Sequence, residues 1–270
     1  MNKLLKKYNL KNKNIIITGA AGLLGKQFAL ALLESGARVI MTDVNEKELK
    51  KTKNNFARKF NNKIIYLHLD VCSENSIKKT LLKMNKLNIK IDVLINNACL
   101  NPKFNSKFNY KDTALENFSL FNWEKELMVG LTGSFLCAKH FGSSMKKNKK
   151  KGVIINIGSE FSVVAPDHRI YKKNNYKPVT YSVIKHGIIG LTKYLSTYWA
   201  KDGIRCNTLS PGGVFENQDK NFVNRFKKLV PLNRMAKKNE YNSAIQFLCS
   251  DASNFLNGHN LIIDGGRSVW

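Results

Sequence analysis

The chain has 270 residues, 43% of them hydrophobic, which is typical of one large α/β domain spanning residues 1–270. The 45 lysine and arginine residues exceed the 19 acidic ones, and the formal net charge of +26 makes nucleic-acid binding an alternative to be weighed. No apolar run is long enough to cross a bilayer, so we expect no membrane-spanning helix and no membrane partner.

The first predicted unit is a strand, a turn and a helix. Residues 1–14 are rich in lysine and asparagine and lack the apolar centre of a signal peptide, which predicts a cytoplasmic protein. Residues 14–18 predict a buried strand, and Gly19, Gly22 and Gly25 follow in a turn that leads into an apolar helical pattern. This order is typical of a dinucleotide-binding fingerprint, in which glycines let the backbone approach a pyrophosphate at the helix N-terminus.

An acidic residue follows the second predicted strand. Residues 38–42 form that strand, and Asp43 comes directly after it. A carboxylate at this position accepts hydrogen bonds from the adenosine ribose hydroxyls and repels a 2′-phosphate. The alternative is a cap for the predicted helix over residues 45–60. The position favours the ribose role and predicts a preference for NAD over NADP.

The rest of the chain continues to alternate strands and helices. Further strands are predicted at residues 64–68, 92–95, 152–157, 205–209 and 261–263. Further helices are predicted at residues 73–85, 123–144 and 239–249, with a polar loop at residues 101–114. Such alternation predicts an α/β fold of the Rossmann type, with one doubly wound parallel sheet between two layers of helices.

A tyrosine and a lysine lie four residues apart in a second long helical segment. On a helix, Tyr181 and Lys185 share one face, one turn apart. An ammonium group near a phenol favours the phenolate and lowers its pKa, and such a phenol can exchange a proton with a substrate oxygen. Since this spacing also occurs by chance, a surface helix with a solvated lysine is the alternative for the pair taken alone.

The motifs together resemble the classical short-chain dehydrogenase/reductase family over almost the whole chain. The matching pieces are Thr18 to Gly25, Asp70, Asn96-Asn97-Ala98, Ser159, Tyr181-x-x-x-Lys185, Pro211-Gly212 and Asp264-Gly265-Gly266. The segment from Gly258 to Trp270 and the residues after Ser210 most resemble the PtmA-like oxidoreductases, a branch linked to bacterial flagellin and surface-glycan sugar pathways.

The resemblance implies the roles of the catalytic residues. Tyr181 would be the general acid/base, Lys185 would lower its pKa and hold the nicotinamide ribose, and Ser159 would orient the substrate oxygen. Asp70 would contact the adenine edge, and Val214 the nicotinamide amide. The implied NAD(H)-binding residues are Gly19, Gly22, Leu23, Leu24, Gly25, Asp43, Asp70, Val71, Asn97, Ala98, Tyr181, Lys185, Pro211, Gly212 and Val214.

The chain departs from the family pattern at three positions. Leu23 stands where the classical branch has its middle glycine, and Cys99 stands where the third motif ends in glycine. Gly130 stands where the family has an asparagine that supports a water in the proton relay. The last change leaves the Ser-Tyr-Lys set intact, but it gives some support to an NAD-binding regulator or scaffold as the alternative to an enzyme.

The segment between Ser159 and Tyr181 is longer than the family norm. The extra residues lie at 166–178 and predict a loop beside the reacting carbon. We expect substrate contacts from Glu160, His168, Arg169 and Tyr171, and Arg169 suits a phosphate or carboxylate. A solvated, lysine-rich surface loop is the alternative.

These observations predict an NAD-dependent oxidoreductase acting on a secondary alcohol or ketone, with a sugar phosphate or nucleotide sugar as the expected substrate. Only seven of the basic residues are arginine, the side chain favoured for phosphate and base recognition, so specific nucleic-acid binding is not expected. Five scattered cysteines without a C-x-x-C predict neither disulfides nor a metal site. The resemblance and the apolar residues Ile184, Ile188, Leu191 and Leu195 predict a homodimer or homotetramer.

Overall fold

Seven parallel strands form one sheet in the order β3-β2-β1-β4-β5-β6-β7. The computed structural model describes residues 3–100, 113–148, 151–172 and 174–270. The strands are β1 (Asn14–Ile17), β2 (Arg38–Asp43), β3 (Ile64–His68), β4 (Val93–Asn96), β5 (Gly152–Ile157), β6 (Ile204–Pro211) and β7 (Asn260–Ile263). The predicted doubly wound parallel sheet is confirmed.

Helices cover both faces of this sheet because neighbouring strand residues point to opposite sides. The helices are α1 (Lys3–Lys6), α2 (Leu23–Glu34), α3 (Glu46–Phe60), α4 (Glu74–Lys86), α5 (Leu120–Leu127), α6 (Gly133–Cys137), α7 (Ser143–Lys147), α8 (Val179–Tyr198), α9 (Lys220–Lys227) and α10 (Asn242–Cys249). Ile15 and Ile17 pack in one core with residues of α2 and α10, whereas Ile16 packs in a second core with residues of α4 and α8. The result is the predicted three-layer arrangement.

The strand order reverses next to β1. This strand pairs with β2 on one side and with β4 on the other, so that Ile15 lies beside both Val39 and Val93. At such a switch point the loops after the two strands diverge and leave a crevice at the carboxyl edge of the sheet. The glycine-rich turn and the residues after β4 both lie at this edge.

A continuous helix runs through residues 120–147, which extends the predicted helix at residues 123–144 by three residues at each end. Two π-helical segments, Met128–Thr132 and Ala138–Gly142, separate α5, α6 and α7. Each contains a glycine at which the neighbouring structure comes close. A Cβ atom at Gly142 would lie 2.4 Å from Cη2 of Trp199, and one at Gly130 would lie 2.8 Å from Cγ2 of Ile184. The helix therefore packs against α8 more closely than a larger side chain allows.

The apolar face of α8 points into the protein. Ile184, Ile188 and Leu195 are at least 95% buried, and Leu191 packs against the second core. The prediction that these residues lie at an interface between copies of the chain is wrong, because they fill the core between α8 and the sheet. The exposed apolar side chains on α8 and on the helix over residues 120–147 are Leu120, Phe121, Met128, Phe135, Val183, Tyr194 and Tyr198.

The residues described in the structure hold no helix that is long and apolar enough to cross a membrane. Within those same residues, no three histidine, cysteine, aspartate or glutamate side chains come together as metal ligands do. All five cysteines are described and all are free thiols.

Candidate active site

Glycines shape the turn between β1 and α2. Gly19 has φ +61°, and a Cβ atom there would lie 2.8 Å from the Cα of Ala98. A Cβ atom at Gly25 would lie 2.5 Å from the carbonyl oxygen of Gly19. Gly22 begins α2 and brings no capping side chain, so the first N–H groups of the helix remain open to an anion. The turn is a backbone cradle of the kind a pyrophosphate fits.

The side chain of Asn97 fastens this turn to the end of β4. Its Nδ2 donates to the carbonyl oxygens of Thr18 and Gly19 at 3.0 and 2.9 Å. The hydroxyl of Thr18 accepts from the N–H groups of Asn97 and Ala98 at 3.0 and 3.1 Å. The sequence placed Asn97 beside the cofactor, and the structure adds that it holds the cradle in position.

Asp43 lies at the end of β2 against the glycine-rich turn. Its Oδ2 accepts from the N–H of Ala21 at 3.0 Å, and its Oδ1 accepts from the N–H of Asn45 at 2.9 Å. The second bond is the local cap that the sequence left as an alternative. The first bond brings the carboxylate to the cradle, where it is also placed to accept hydrogen bonds from the hydroxyls of a ribose.

The other predicted cofactor residues line the same edge of the sheet. The carboxylate of Asp70 accepts from the N–H of Cys72 at 2.9 Å, and Val71 is buried beside it. A Cβ atom at Gly212 would lie 2.7 Å from the Cα of Asp264, so this glycine lets two loops meet. Leu23 and Leu24 form the first turn of α2, Pro211 ends β6, and Val214 forms a single bridge with Ala236.

Ser159, Tyr181 and Lys185 come together between β5 and α8. Ser159 lies close enough to the side chain of Tyr181 for its hydroxyl to lower the pKa of the phenol. Lys185 is 5% exposed, its Nζ donates to the carbonyl oxygen of Ile157 at 2.8 Å, and it lies 5.5 Å from the centroid of the Tyr181 ring. The three residues thus stand at the carboxyl end of β5, the strand that pairs with β4.

The environment of Tyr181 differs from the expectation that Lys185 lowers its pKa. Burial raises the pKa of the phenol well above its usual value of 10, the nearby thiol of Cys99 raises it further, and the hydrogen bond from Ser159 lowers it. Lys185 faces the ring and donates to a backbone carbonyl, so its ammonium does not offset the loss of solvation. The phenol is therefore protonated at neutral pH.

The structure adds Lys177 to this site. Its Nζ lies 3.7 Å from the centroid of the Tyr181 ring, closer than that of Lys185. Burial lowers the pKa of Lys177 to about 8. The Tyr-x-x-x-Lys motif indicates only the lysine that follows the tyrosine. Lys177 lies four residues before Tyr181 but ahead of α8, so helical spacing does not indicate it.

Glu160, predicted to contact substrate, is instead buried in an ion pair. Its Oε1 accepts a short hydrogen bond from Nη1 of Arg267, and the two side chains are 3% and 5% exposed. The guanidinium also lies 5.0 Å from the ring centroid of Phe161. This pair joins the segment directly after Ser159 to the C-terminal segment and thereby helps to hold the site in place.

The segment from Pro166 to Pro178 turns its arginine to the surface. Arg169 is 88% exposed at its side chain and donates to both carboxylate oxygens of Asp167 at 3.0 and 2.8 Å. His168 packs on Tyr176, and Tyr171 packs on Phe222. Burial raises the pKa of Tyr171 above its usual range. Arg169 is thus engaged away from Tyr181. The predicted loop at residues 101–114 lies almost wholly outside the described residues.

Gly130 lies in a π-helical segment against α8. Its carbonyl oxygen accepts from the hydroxyl of Ser134 at 2.8 Å. Because a Cβ atom at Gly130 would meet Ile184, an asparagine does not fit here unless Ile184 moves. Glycine in place of the family asparagine at position 130 therefore fits the position of Ile184.

The fold and the matching motifs are typical of nucleotide-binding α/β proteins, and comparison with known proteins gives the family. A family model described as enoyl-(acyl carrier protein) reductase matches residues 19–268. The chain belongs to the classical short-chain dehydrogenase/reductase family. Members of this family bind nicotinamide cofactors and small-molecule substrates.

Individual relatives match along nearly their whole length. The chain is 30% identical to post-translational flagellin modification protein A of Campylobacter coli, over 95% of this chain and 98% of that one. It is also 30% identical to an NAD-dependent glycerol dehydrogenase of Listeria innocua, over 98% and 97% of the two chains. A gluconate 5-dehydrogenase from Burkholderia cenocepacia J2315, solved with NADP and tartrate, superposes with a TM-score of 0.85 at 27% identity, covering 98% and 99% of the two chains.

Proposed function

We propose that this protein is an NAD-preferring oxidoreductase that interconverts a secondary alcohol and a ketone on a polyol or sugar derivative. The observation that carries the proposal is that Ser159, Tyr181 and Lys185 come together between β5 and α8, with Lys185 one helical turn after Tyr181. A hydroxyl that orients a substrate oxygen and a phenol that exchanges its proton are the two groups this chemistry needs from the protein.

The proton and the hydride follow separate routes. A nicotinamide held by the glycine-rich turn and Lys185 would supply the hydride that reduces a ketone to an alcohol. Tyr181 donates its proton to the carbonyl oxygen, and the O–H bond of the alcohol forms as that of the phenol breaks. Ser159 donates a hydrogen bond to the same oxygen and orients it. In the reverse direction the phenolate accepts the hydroxyl proton.

Burial keeps Tyr181 protonated at neutral pH, the form that a proton donor needs. In this form the phenol holds the proton that the carbonyl oxygen of a ketone must receive. Lys185 would hold the nicotinamide ribose, as in the family. Its ammonium is already fixed by the carbonyl of Ile157, which keeps it next to the tyrosine.

The preference for NAD rests on Asp43. Its carboxylate lies against the N–H of Ala21 at the cradle, where it would accept hydrogen bonds from ribose hydroxyls and repel a 2′-phosphate. The relatives include both cofactors, since one is named an NAD-dependent glycerol dehydrogenase and another was solved with NADP. The test of the preference is the ratio of kcat/KM for the two cofactors.

The substrate class rests on the relatives that act on polyols and sugar acids. Their names include glycerol dehydrogenase, D-arabinitol 2-dehydrogenase and gluconate 5-dehydrogenase. The flagellin modification relative supports the alternative of a nucleotide sugar. A panel of polyols, aldonic acids, sugar phosphates and nucleotide sugars, followed by NADH absorbance in both directions, tests the proposal. NADH binding with no turnover of any member of the panel contradicts it.

A second candidate function is an NAD-binding regulator without turnover. The close contact between Gly130 and Ile184 favours it, because it removes the room for the family asparagine. The same screen separates the two functions. An enzyme oxidises NADH with a substrate, whereas a regulator binds NADH with unchanged affinity whether or not any substrate is present.

We also propose that the protein acts in the cytoplasm as a homodimer or homotetramer. Phe121 and Tyr194 are 69% and 62% exposed, and Tyr194 stacks on the exposed Tyr198. Apolar side chains at this density on neighbouring helices suit a symmetric interface. Light scattering at micromolar concentration tests the assembly, and a clean monomer contradicts it.

A further inference from the structure

Two lysines lie beside the phenol that exchanges the proton, Lys177 in the segment before α8 and Lys185 on α8, one turn after the tyrosine. Nζ of Lys185 is 5.5 Å from the ring centroid of Tyr181 and is committed to the carbonyl oxygen of Ile157. Nζ of Lys177 is 3.7 Å from the same centroid, within contact of the ring. The family roles described above belong to Lys185. They assign no function to Lys177.

The backbone around Lys177 holds it in this position. Tyr176 donates its N–H to the hydroxyl of Thr113 at 3.2 Å, and Pro178 directly precedes α8. In the first turn of α8, Thr180 makes a short hydrogen bond with Glu126 on the neighbouring helix α5. These bonds fix the backbone on both sides of Lys177.

Two arginines near the site do not face the ring of Tyr181. Arg169 is chelated by Asp167 at the surface, and Arg267 is buried against Glu160. Among the described residues, Lys177 and Lys185 are the lysines that lie over this ring, at 3.7 and 5.5 Å from its centroid.

Burial and charge act on Lys177 in opposite directions. Loss of solvation, and to a smaller extent Lys185, lower its pKa, whereas Cys99, Glu160 and Glu126 raise it, and the net result is a pKa of about 8. An arriving carboxylate or phosphate would stabilise the charged form, so its binding is coupled to protonation of Lys177.

We propose that Lys177 is a specificity-determining residue that binds an anionic group, a carboxylate or phosphate, carried by the substrate a few atoms from its reacting carbon. The proposal rests on the proposed oxidoreductase function. The substrate oxygen must reach the hydroxyl of Tyr181, and Nζ of Lys177 lies on the ring that bears this hydroxyl. An ammonium in a partly dehydrated pocket is a strong partner for such an oxygen anion.

Binding to the enzyme–NADH complex, measured by calorimetry, tests the inference without requiring turnover. The probes are matched pairs: D-gluconate with D-glucitol, and glycerol 3-phosphate with glycerol. We expect one anionic probe to bind at least about tenfold more tightly than its neutral partner, as a hydrogen bond between charged groups implies. The two pairs distinguish a carboxylate from a phosphate. Equal affinities within both pairs, or no anion binding at all, overturn the inference.

Three variants separate charge from packing. Lys177→Met keeps the aliphatic contact with Tyr181 and should lose about tenfold in affinity for the anion, with neutral probes and NADH unaffected. Lys177→Arg should retain most of the affinity. Lys172→Met removes an exposed lysine of the same segment and should change nothing. Unchanged anion affinity in Lys177→Met overturns the inference.

The pH dependence gives an independent readout. Lys177 is protonated below its pKa of about 8 and neutral above it, so anion affinity should fall as pH rises from 7 to 9. Lys177→Arg, which stays charged, should show a flat profile. A fall with pH that persists in the arginine variant assigns the titration to another group and overturns the inference.

The outcomes keep the two proposals apart. Anion binding that depends on Lys177, with no turnover of any panel member, contradicts the oxidoreductase and leaves the anion site standing. Turnover of neutral polyols that Lys177→Met leaves unchanged, without anion preference, supports the oxidoreductase and overturns the anion site.

Discussion

The cofactor edge and the substrate side of this site are built in different ways. At the cofactor edge the backbone sets the shape. A Cβ atom at Gly19, Gly25 or Gly212 would lie only 2.5–2.8 Å from neighbouring main-chain atoms, so the chain can approach this closely only at a glycine. On the substrate side it comes from long side chains, in the ion pair of Glu160 with Arg267 and the packing of Lys177 on Tyr181. Glycine marks the close backbone contacts in the sequence, whereas the side-chain contacts depend on packing between distant residues and carry no such mark.

The buried ion pair gives the largest expected effect on stability. Arg267→Met leaves the Glu160 carboxylate buried without its partner, which should lower the free energy of unfolding by about 3–5 kcal/mol. Urea denaturation followed by circular dichroism measures this loss. Arg234→Met breaks an ion pair with Glu240 at the surface and serves as the matched control, with a small loss expected. Equal losses in the two variants would show that the substrate side does not depend on this pair.

A methyl group in the cradle tests the cofactor edge. In Gly25→Ala the new Cβ atom would lie 2.5 Å from the oxygen of Gly19 and 2.8 Å from the Cα of Ala20, both backbone atoms. We expect a loss of about 1–3 kcal/mol in stability or in NADH binding, measured by denaturation and fluorescence titration.

Gly190→Ala is the matched control for that variant. A Cβ atom at this position in α8 meets nothing within 4 Å. The substitution should leave NADH binding unchanged and stabilise the helix by up to about 1 kcal/mol. If Gly25→Ala behaved like Gly190→Ala, the cradle would not depend on glycine.

Gly130→Asn introduces the family residue and tests a glycine that faces a side chain. The added Cβ atom would lie 2.8 Å from Cγ2 of Ile184, a contact that rotation of the isoleucine can partly relieve. A loss of stability of about 1–2 kcal/mol is expected, near the lower end for overpacked cores. The double variant with Ile184→Ala should regain part of the overpacking penalty. Absence of any coupling between the two substitutions in a double-mutant cycle would show that they do not interact.

The smallest expected effect concerns cofactor choice. Asp43→Asn removes the charge that would repel a 2′-phosphate but keeps the size of the side chain and part of its hydrogen bonding. The ratio of kcat/KM for NAD over that for NADP should fall by on the order of tenfold. An unchanged ratio, or a wild type that prefers NADP, contradicts the role given to Asp43.

The difference between the two regions also explains what the sequence could predict. The strands were predicted to within about two residues at each end because buried parallel strands are continuous apolar runs. The glycine-rich turn, Asn97 and Asp43 were predictable because each lies at a fixed distance from a strand end. The predicted catalytic set also meets in space, since a helix brings residues four apart to one face.

The remaining features depend on tertiary packing. Glu160 and Arg267 are separated by 107 positions, and nothing local pairs them. Arg169 was predicted to bind substrate by its charge, but Asp167, two residues before it, chelates it at the surface. The pKa of Tyr181 was expected to be low from one neighbouring lysine, whereas burial, which no motif encodes, raises it.

The central claim is that Tyr181 exchanges the proton with the substrate oxygen. The most direct measurement is single-turnover oxidation of NADH by a ketone, in wild type and in Tyr181→Phe, together with NADH affinity. The variant keeps the ring that packs on Phe161 and Lys177, so NADH binding and stability should be unchanged. The rate of hydride transfer should fall by about a hundredfold or more. Hydride transfer at the wild-type rate in Tyr181→Phe would contradict the account.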